Sequence, residues 1–162
     1  MSEEWRPVPD WPEYQVSSEG QVRSVERVVM RSNGIAQTIG AWMLAPATMK
    51  KSGHQQVALS RGGRSKTVTV HVLVATAFHG PRPTGMECRH LNGDPADNRA
   101  VNLQWGTTRE NHLDRVRHGI HHMSRRTECA QGHPFDEANT YRAPGNPTVR
   151  LCRTCRAARR SA

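Results

Sequence analysis

His90 stands in the run Arg89-His90-Leu91-Asn92-Gly93-Asp94, and Asn98, Asn102 and Asn111 follow it at short intervals. Imidazole has a free-solution pKa of about 6.5, so a neutral His can take a proton from water at cellular pH. The amide oxygen of an Asn is a hard donor that suits a cation such as Mg²⁺. A second Asn, placed inside a loop, can tie that loop together. A His, a structural Asn and a helix-borne Asn in this order are the parts of a one-metal site that cleaves a phosphodiester.

A second set of chemistry-bearing residues lies near the C-terminus: Cys129-Ala130-Gln131-Gly132-His133, then eighteen residues, then Cys152-Arg153-Thr154-Cys155. Three thiolates and one imidazole make a closed tetrahedral set for one structural Zn²⁺, and four protein ligands leave no open position for a reacting water. Three of the four cysteines belong to this set, which argues for a reduced compartment and against a disulfide framework; Cys88 reads as a half-buried strand residue. Between the two pairs the chain carries Pro134, Pro144, Gly145 and Pro147 and few apolar residues, so metal binding is expected to supply its folding energy.

The elements that must hold the first set are short. Glu87 to His90 reads as a strand, Leu91 to Val101 as a polar loop, and Leu103 to Gly106 as a second strand. Thr107-Thr108-Arg109-Glu110 has the form of a capping box, Leu113 and Val116 recur at helical spacing, and Gly119 supplies the stop. Asn111 then falls in the first helical turn, where free backbone N–H groups and the helix dipole favour an anion. Upstream, Ile35 to Leu44, Gln55 to Ser60 and Ser65 to Val70 read as strands, and Arg61-Gly62-Gly63-Arg64 as a hairpin turn exposing two arginines. Trp5, Trp11 and Tyr14 read as a miniature core.

This strand, loop, strand and helix resembles the ββα-metal module of the HNH endonucleases of phage and intron-homing type. The resemblance implies His90 as general base, Asn102 as the central Asn and Asn111 as ligand of a catalytic divalent ion, Mg²⁺ or another. Val70-His71-Val72-Leu73-Val74-Ala75-Thr76-Ala77-Phe78 resembles the helix that precedes the site in those enzymes, and His71 matches a His often present there, read here as structural. Glu4-Trp5-Arg6-Pro7-Val8, Tyr14-Gln15-Val16-Ser17 and Gly20-Gln21-Val22-Arg23-Ser24 are similar to the small N-terminal module, NUMOD4-like, that such enzymes carry. The matches span roughly residues 3 to 118. One position departs from the pattern. Many HNH enzymes place Asp or His just before the base as a metal ligand; Arg89 stands there, and a guanidinium cannot ligate a cation. This is similar to non-specific ββα nucleases in which one Asn is the only protein ligand and water fills the rest. Arg89 is then expected to act on the substrate phosphate.

Composition sets the outer bounds. The chain has 162 residues, 23 Lys plus Arg against 14 Asp plus Glu, a net charge of +9 and a pI near 10.4. That balance is expected of a protein that neutralises phosphates. With 35% hydrophobic residues, small modules are favoured over one large core. The expected fold class is α+β: a β-rich NUMOD4-like module over residues 1–45, an HNH module with a preceding hairpin and helix over 46–119, and a zinc-stapled basic module over 120–162. DNA is the expected partner, contacted by Arg61, Arg64, Arg156, Arg159 and Arg160 besides the catalytic module; a monomer is favoured. No apolar run reaches the roughly 20 residues that span a bilayer, so the cytoplasm, that of a host cell for a phage protein, is the expected location. His112 points away from Asn111 around the helix, Asp94 and Asp97 read as turn-formers, and His118, His121 and His122 flank the linker. The alternative to a metal-dependent DNA endonuclease is a catalytically weak DNA-binding or packaging accessory protein that keeps the ββα scaffold.

Overall fold

The computed structural model describes residues 2–119 and 125–160. His121 and His122 lie outside the described residues. The chain divides into two compact units, Met1–Thr108 and Arg109–Ala162.

The first unit is built from short antiparallel sheets and one buried helix. Strands β1 (Trp5–Val8), β2 (Trp11–Ser17) and β3 (Val22–Ser24) form one sheet, and β4 (Arg27–Met30) pairs with β5 (Ala36–Ile39). A three-stranded sheet follows from β6 (Ala47–Thr48), β7 (Gln55–Arg61) and β8 (Arg64–Thr69). Alternation explains what each strand buries: Tyr14 and Val16 in β2, and Val57 and Leu59 in β7, lie two residues apart and face one core. Helix α1 (Val70–His79) adds Val70, Leu73 and Val74 at helical spacing. Fully burying each such side chain contributes about 1.5–3 kcal/mol. Tyr14 also ties two sheets together, because its hydroxyl accepts from Ser60 N at 2.8 Å and is placed to donate to Ser60 O at 3.1 Å.

The stretch from Ile35 to Leu44 is not one strand. Strand β5 ends at Ile39, and beyond Gly40 the chain moves to the edge of β3, where Trp42 O accepts from Ser24 N and Leu44 N donates to Val22 O. The hairpin with β4 and the edge of β3 draw on successive halves of the same run.

Strands β9 (Met86–His90) and β10 (Leu103–Thr107) complete the unit. Helix α2 (Thr108–Arg117) starts at its last residue and leads into the second unit, and Gly119 takes φ 66° just past the helix end. The second unit also holds the hairpin β11 (Thr140–Ala143) and β12 (Asn146–Cys152) and a short helix, α3 (Arg153–Ala158). Mixed small sheets with few helices make an α+β protein.

Candidate active site and metal sites

Hairpin β9–β10 fixes the directions of two neighbouring side chains. His90 pairs with Leu103 and Arg89 with Gln104, so strand alternation sends His90 to the face shared with Leu103 and Trp105 and Arg89 to the opposite face. Arg89 is only 8% exposed and lies across Gly106. A Cβ at Gly106 would run into the Arg89 Cδ and guanidinium, so the absence of a side chain there is what lets Arg89 lie flat on the hairpin.

The loop joining the two strands is closed by Asn102, which is buried in a 3-10 turn, Ala100–Asn102. Its Oδ1 accepts from Asn92 N at 2.9 Å, and its Nδ2 donates to Asn92 Oδ1 at 3.0 Å and to Asp97 O at 2.8 Å. Leu91 N donates to Asn102 O at 2.8 Å, so the residue after His90 is held to the residue before β10. Asp97 is fixed in turn by Arg99 at 2.8 and 2.7 Å and by Asn92 at 2.7 Å, and the Arg99 guanidinium holds its carboxyl down to about 2. The N-terminal sheet braces this loop from behind. Ala100 N donates to Ser18 O at 2.8 Å, and Gly20, at φ 86°, abuts Asn98 so closely that a Cβ would meet it at 2.8 Å.

His90 sits half-buried at the end of β9 with its Nε2 buried and without a partner among the described residues. Burial pushes its pKa below 6.5; the Asn98 side chain, Asp94 and Asp97 oppose that shift, and His54 adds to it. Two more imidazoles stand beside it. The His71 and His90 ring centroids are 5.1 Å apart, those of His54 and His90 5.4 Å, and those of His54 and His71 4.6 Å. His71 is 9% exposed, its Nδ1 has no partner among the described residues, and burial, reinforced by His90 and His54, lowers its pKa to about 3. Asn111 is the fourth residue of α2 and half-buried.

The C-terminal donors converge. Ligand atoms of Cys129, His133, Cys152 and Cys155 all lie within 4.8 Å of one another. His133 Nδ1 is 3.5 Å from Cys129 Sγ, 3.2 Å from Cys155 Sγ and 3.7 Å from Cys152 Sγ. Backbone N–H groups aim at the sulfurs: His133 N and Gln131 N at Cys129 Sγ (3.3 and 3.4 Å), and Cys155 N at Cys152 Sγ (3.4 Å). Such donors favour thiolate, and that of Cys155 is foremost in pulling the Cys152 thiol down to about 6. Burial pushes the Cys155 thiol the other way, to about 11. Three sulfurs and one ring nitrogen at these spacings fit a tetrahedral Zn²⁺. The hairpin carries the rest of the module: Arg156 stacks over Tyr141 at 4.7 Å and Arg150 over Phe135 at 4.6 Å. With Arg126 and Arg159 they border a cavity of about 560 Å³ beside the cysteines.

Residues 68–113 match the family described as HNH endonuclease, and residues 3–60 match the NUMOD4 motif. The chain is also homologous to DNA endonuclease I-HmuI of Bacillus phage SP01, at 27% identity over 129 residues, 79% of this chain and 66% of that protein. A solved structure, "DNA binding and cleavage by the HNH homing endonuclease I-HmuI", superposes with a TM-score of 0.57 at 28% identity over 73% of this chain and 60% of that one. The chain thus spans less than two thirds of the length of either.

Within the segment that matches the HNH family, His90, Asn102 and Arg89 belong to one hairpin, and Asn111 lies on the helix that follows it. Of the two hairpin-turn arginines in the NUMOD4 and adjoining segment, Arg61 is exposed but engaged, with Glu13 at 3.0 Å and Asp10 O at 3.2 Å; Arg64 is exposed. Arg156, Arg159 and Arg160 are exposed as well. Three residues that matter were not legible beforehand. Gly106 seats Arg89, and its only signal is a glycine inside a strand. Asn139 braces the Cys-His-Cys-Cys cluster: its Oδ1 accepts from Thr154 N and Oγ1 at 3.0 and 2.8 Å, and its Nδ2 approaches Cys152 Sγ at 3.4 Å. His54 carried no signal, since only the fold brings it beside His71 and His90.

Proposed function

We propose that this protein is a metal-dependent DNA endonuclease in which His90 is the general base. The observation that carries the reading is the half-buried His90 of an HNH match, with a buried Nε2 that has no partner among the described residues. Burial that lowers its pKa keeps the ring neutral, and therefore basic, at cellular pH. His90 takes the proton as water attacks phosphorus; the new P–O bond forms as the bond to the 3′ oxygen breaks. Asn102 does no chemistry and holds the loop from which His90 projects. Asn111 would hold the divalent ion through its amide oxygen, the hard donor Mg²⁺ accepts, and a bound ion would supply neutralisation of charge on the phosphate and on the leaving oxygen. Arg89 acts on the phosphate as a charge and not as a ligand.

Three parts serve this chemistry: a NUMOD4-like module over 1–45, the nuclease module over 46–119 and a basic module over 120–162 in which Cys129, His133, Cys152 and Cys155 hold one Zn²⁺. Arg61, Arg64, Arg156, Arg159 and Arg160 contact the DNA backbone. The protein acts as a monomer in the cytoplasm of a host cell, and its homology to a phage endonuclease supports a mobile-element setting. Arg89 at a position where many HNH enzymes have a metal-binding side chain favours a second reading, a DNA-binding or packaging accessory protein on the same scaffold. Supercoiled plasmid separates the two: Mg²⁺-dependent nicking or linearisation that stops when Mg²⁺ alone is withheld is the expected result. Retardation of the plasmid with no cut strand at any divalent ion tested would favour the accessory protein.

A further inference from the structure

We infer that His54, His71 and His90 form a second metal site, a three-histidine cradle for a borderline divalent ion such as Zn²⁺ or Co²⁺. One ring nitrogen from each lies within 4.8 Å of the other two. In a tetrahedral Zn²⁺ site with Zn–N of about 2.0–2.1 Å, ligand nitrogens stand roughly 3.4 Å apart, so closing the cradle takes side-chain shifts of about 1.4 Å or less per pair. Two further observations point to a ligand. His71 Nδ1 and His90 Nε2 are both buried with no hydrogen-bond partner among the described residues, and His71 is 9% exposed. Buried polar atoms of this kind are costly unless something satisfies them. Imidazole is a preferred ligand of Zn²⁺, Co²⁺ and Ni²⁺ and a poor one for Mg²⁺, so the cradle and a carboxamide–water site select different ions. The acidic loop beside His90, with Asp94 and Asp97, adds negative potential toward the added charge.

Three protein ligands leave a fourth position open. Occupancy nonetheless takes the lone pair of a His90 nitrogen into a coordinate bond and fixes the ring. On the reading that His90 is the general base, the ion is an inhibitor of Mg²⁺-dependent cleavage, and the site makes the enzyme sensitive to free zinc. The C-terminal Cys-His-Cys-Cys set is distinct in chemistry: it offers three thiolates, and the cradle offers none.

The test uses the full chain. Protein is stripped of metal and titrated with Co²⁺ alone. Two tightly held ions per chain are expected besides any weakly held ion on the Asn111 oxygen, one with a thiolate-to-cobalt charge-transfer band and one with ligand-field bands only. His54→Asn should weaken the second by roughly 10-fold or more and leave the first unchanged. In parallel, micromolar Zn²⁺ added to zinc-replete protein at fixed Mg²⁺ should inhibit nicking by wild type, with His54→Asn resistant when compared with its own rate without added Zn²⁺. A single cobalt per chain, or a second one indifferent to His54→Asn, would overturn the site. A second, His54-dependent cobalt without zinc inhibition would uphold the site and count instead against His90 as the base.

Discussion

The two clusters of side chains that could hold a metal ion differ in how the chain assembles them. Cys129 with His133 and Cys152 with Cys155 are local pairs: a tight turn with Gly132 at φ 78° closes the first, and the start of α3, where Cys152 accepts from Cys155 N, closes the second. His54, His71 and His90 come from three places, the residue before β7, α1 and the end of β9, and only the core of the first unit brings them together. The hairpin around the first cluster buries almost nothing else; among its described residues only Cys152 counts as buried, so an ion held there would supply the cohesion that a core does not. The second is held by Val57, Leu59, Val70 and Val74 whether or not an ion is present. Donors arranged locally make a fold out of a metal, whereas donors arranged by a core make a site out of a fold.

Removing one ligand from each cluster should break this contrast most sharply. Cys152→Ser is expected to release the zinc and unfold the C-terminal hairpin, since structural zinc supplies on the order of 10 kcal/mol in small metal modules. Elemental analysis and proteolysis should show zinc lost and cleavage confined to the segment after residue 125. A Cys152→Ser variant that keeps its zinc would break the assignment.

Acid should act on the other cluster. His71 has a folded pKa of about 3 against an ordinary 6.5, so the unfolded chain binds more protons between those values. Stability is therefore full above pH 6.5 and falls as pH drops toward 3, by an amount on the order of several kcal/mol. Urea midpoints from pH 7 to pH 4 check this, and His71→Asn should flatten the slope. An unchanged slope in that variant would mean that other groups drive acid unfolding.

Asn102→Ala removes three side-chain hydrogen bonds from a buried loop and should cost about 2–4 kcal/mol. Gly106→Ala forces Arg89 off the hairpin, at about 1–3 kcal/mol by overpacking. Thermal melts rank the two; a neutral Gly106→Ala would show that Arg89 repositions freely. The smallest effect belongs to Arg61→Ala, whose exposed pair with Glu13 should contribute less than about 1 kcal/mol.

The hairpin and helix that carry His90, Asn102 and Asn111 were legible in the sequence because they are local elements, whose signals are turn residues and a cap. The grouping of Cys129, His133, Cys152 and Cys155 was legible for the same reason. Strand limits near Ile35 were not, because a run that serves two neighbouring sheets in succession has the same alternation as one long strand. His54, Gly106 beside Arg89, and Asn139 were hidden because each acts through a neighbour that only tertiary packing supplies. No helix among the described residues is long and apolar enough to cross a membrane.

Single-turnover cutting of one DNA duplex at saturating Mg²⁺ by wild type and His90→Ala reads whether His90 abstracts the proton in phosphodiester cleavage. A rate loss of roughly 10²-fold or more with DNA affinity nearly unchanged is expected. Cleavage by His90→Ala within about tenfold of wild type, against that general-base loss, would contradict it.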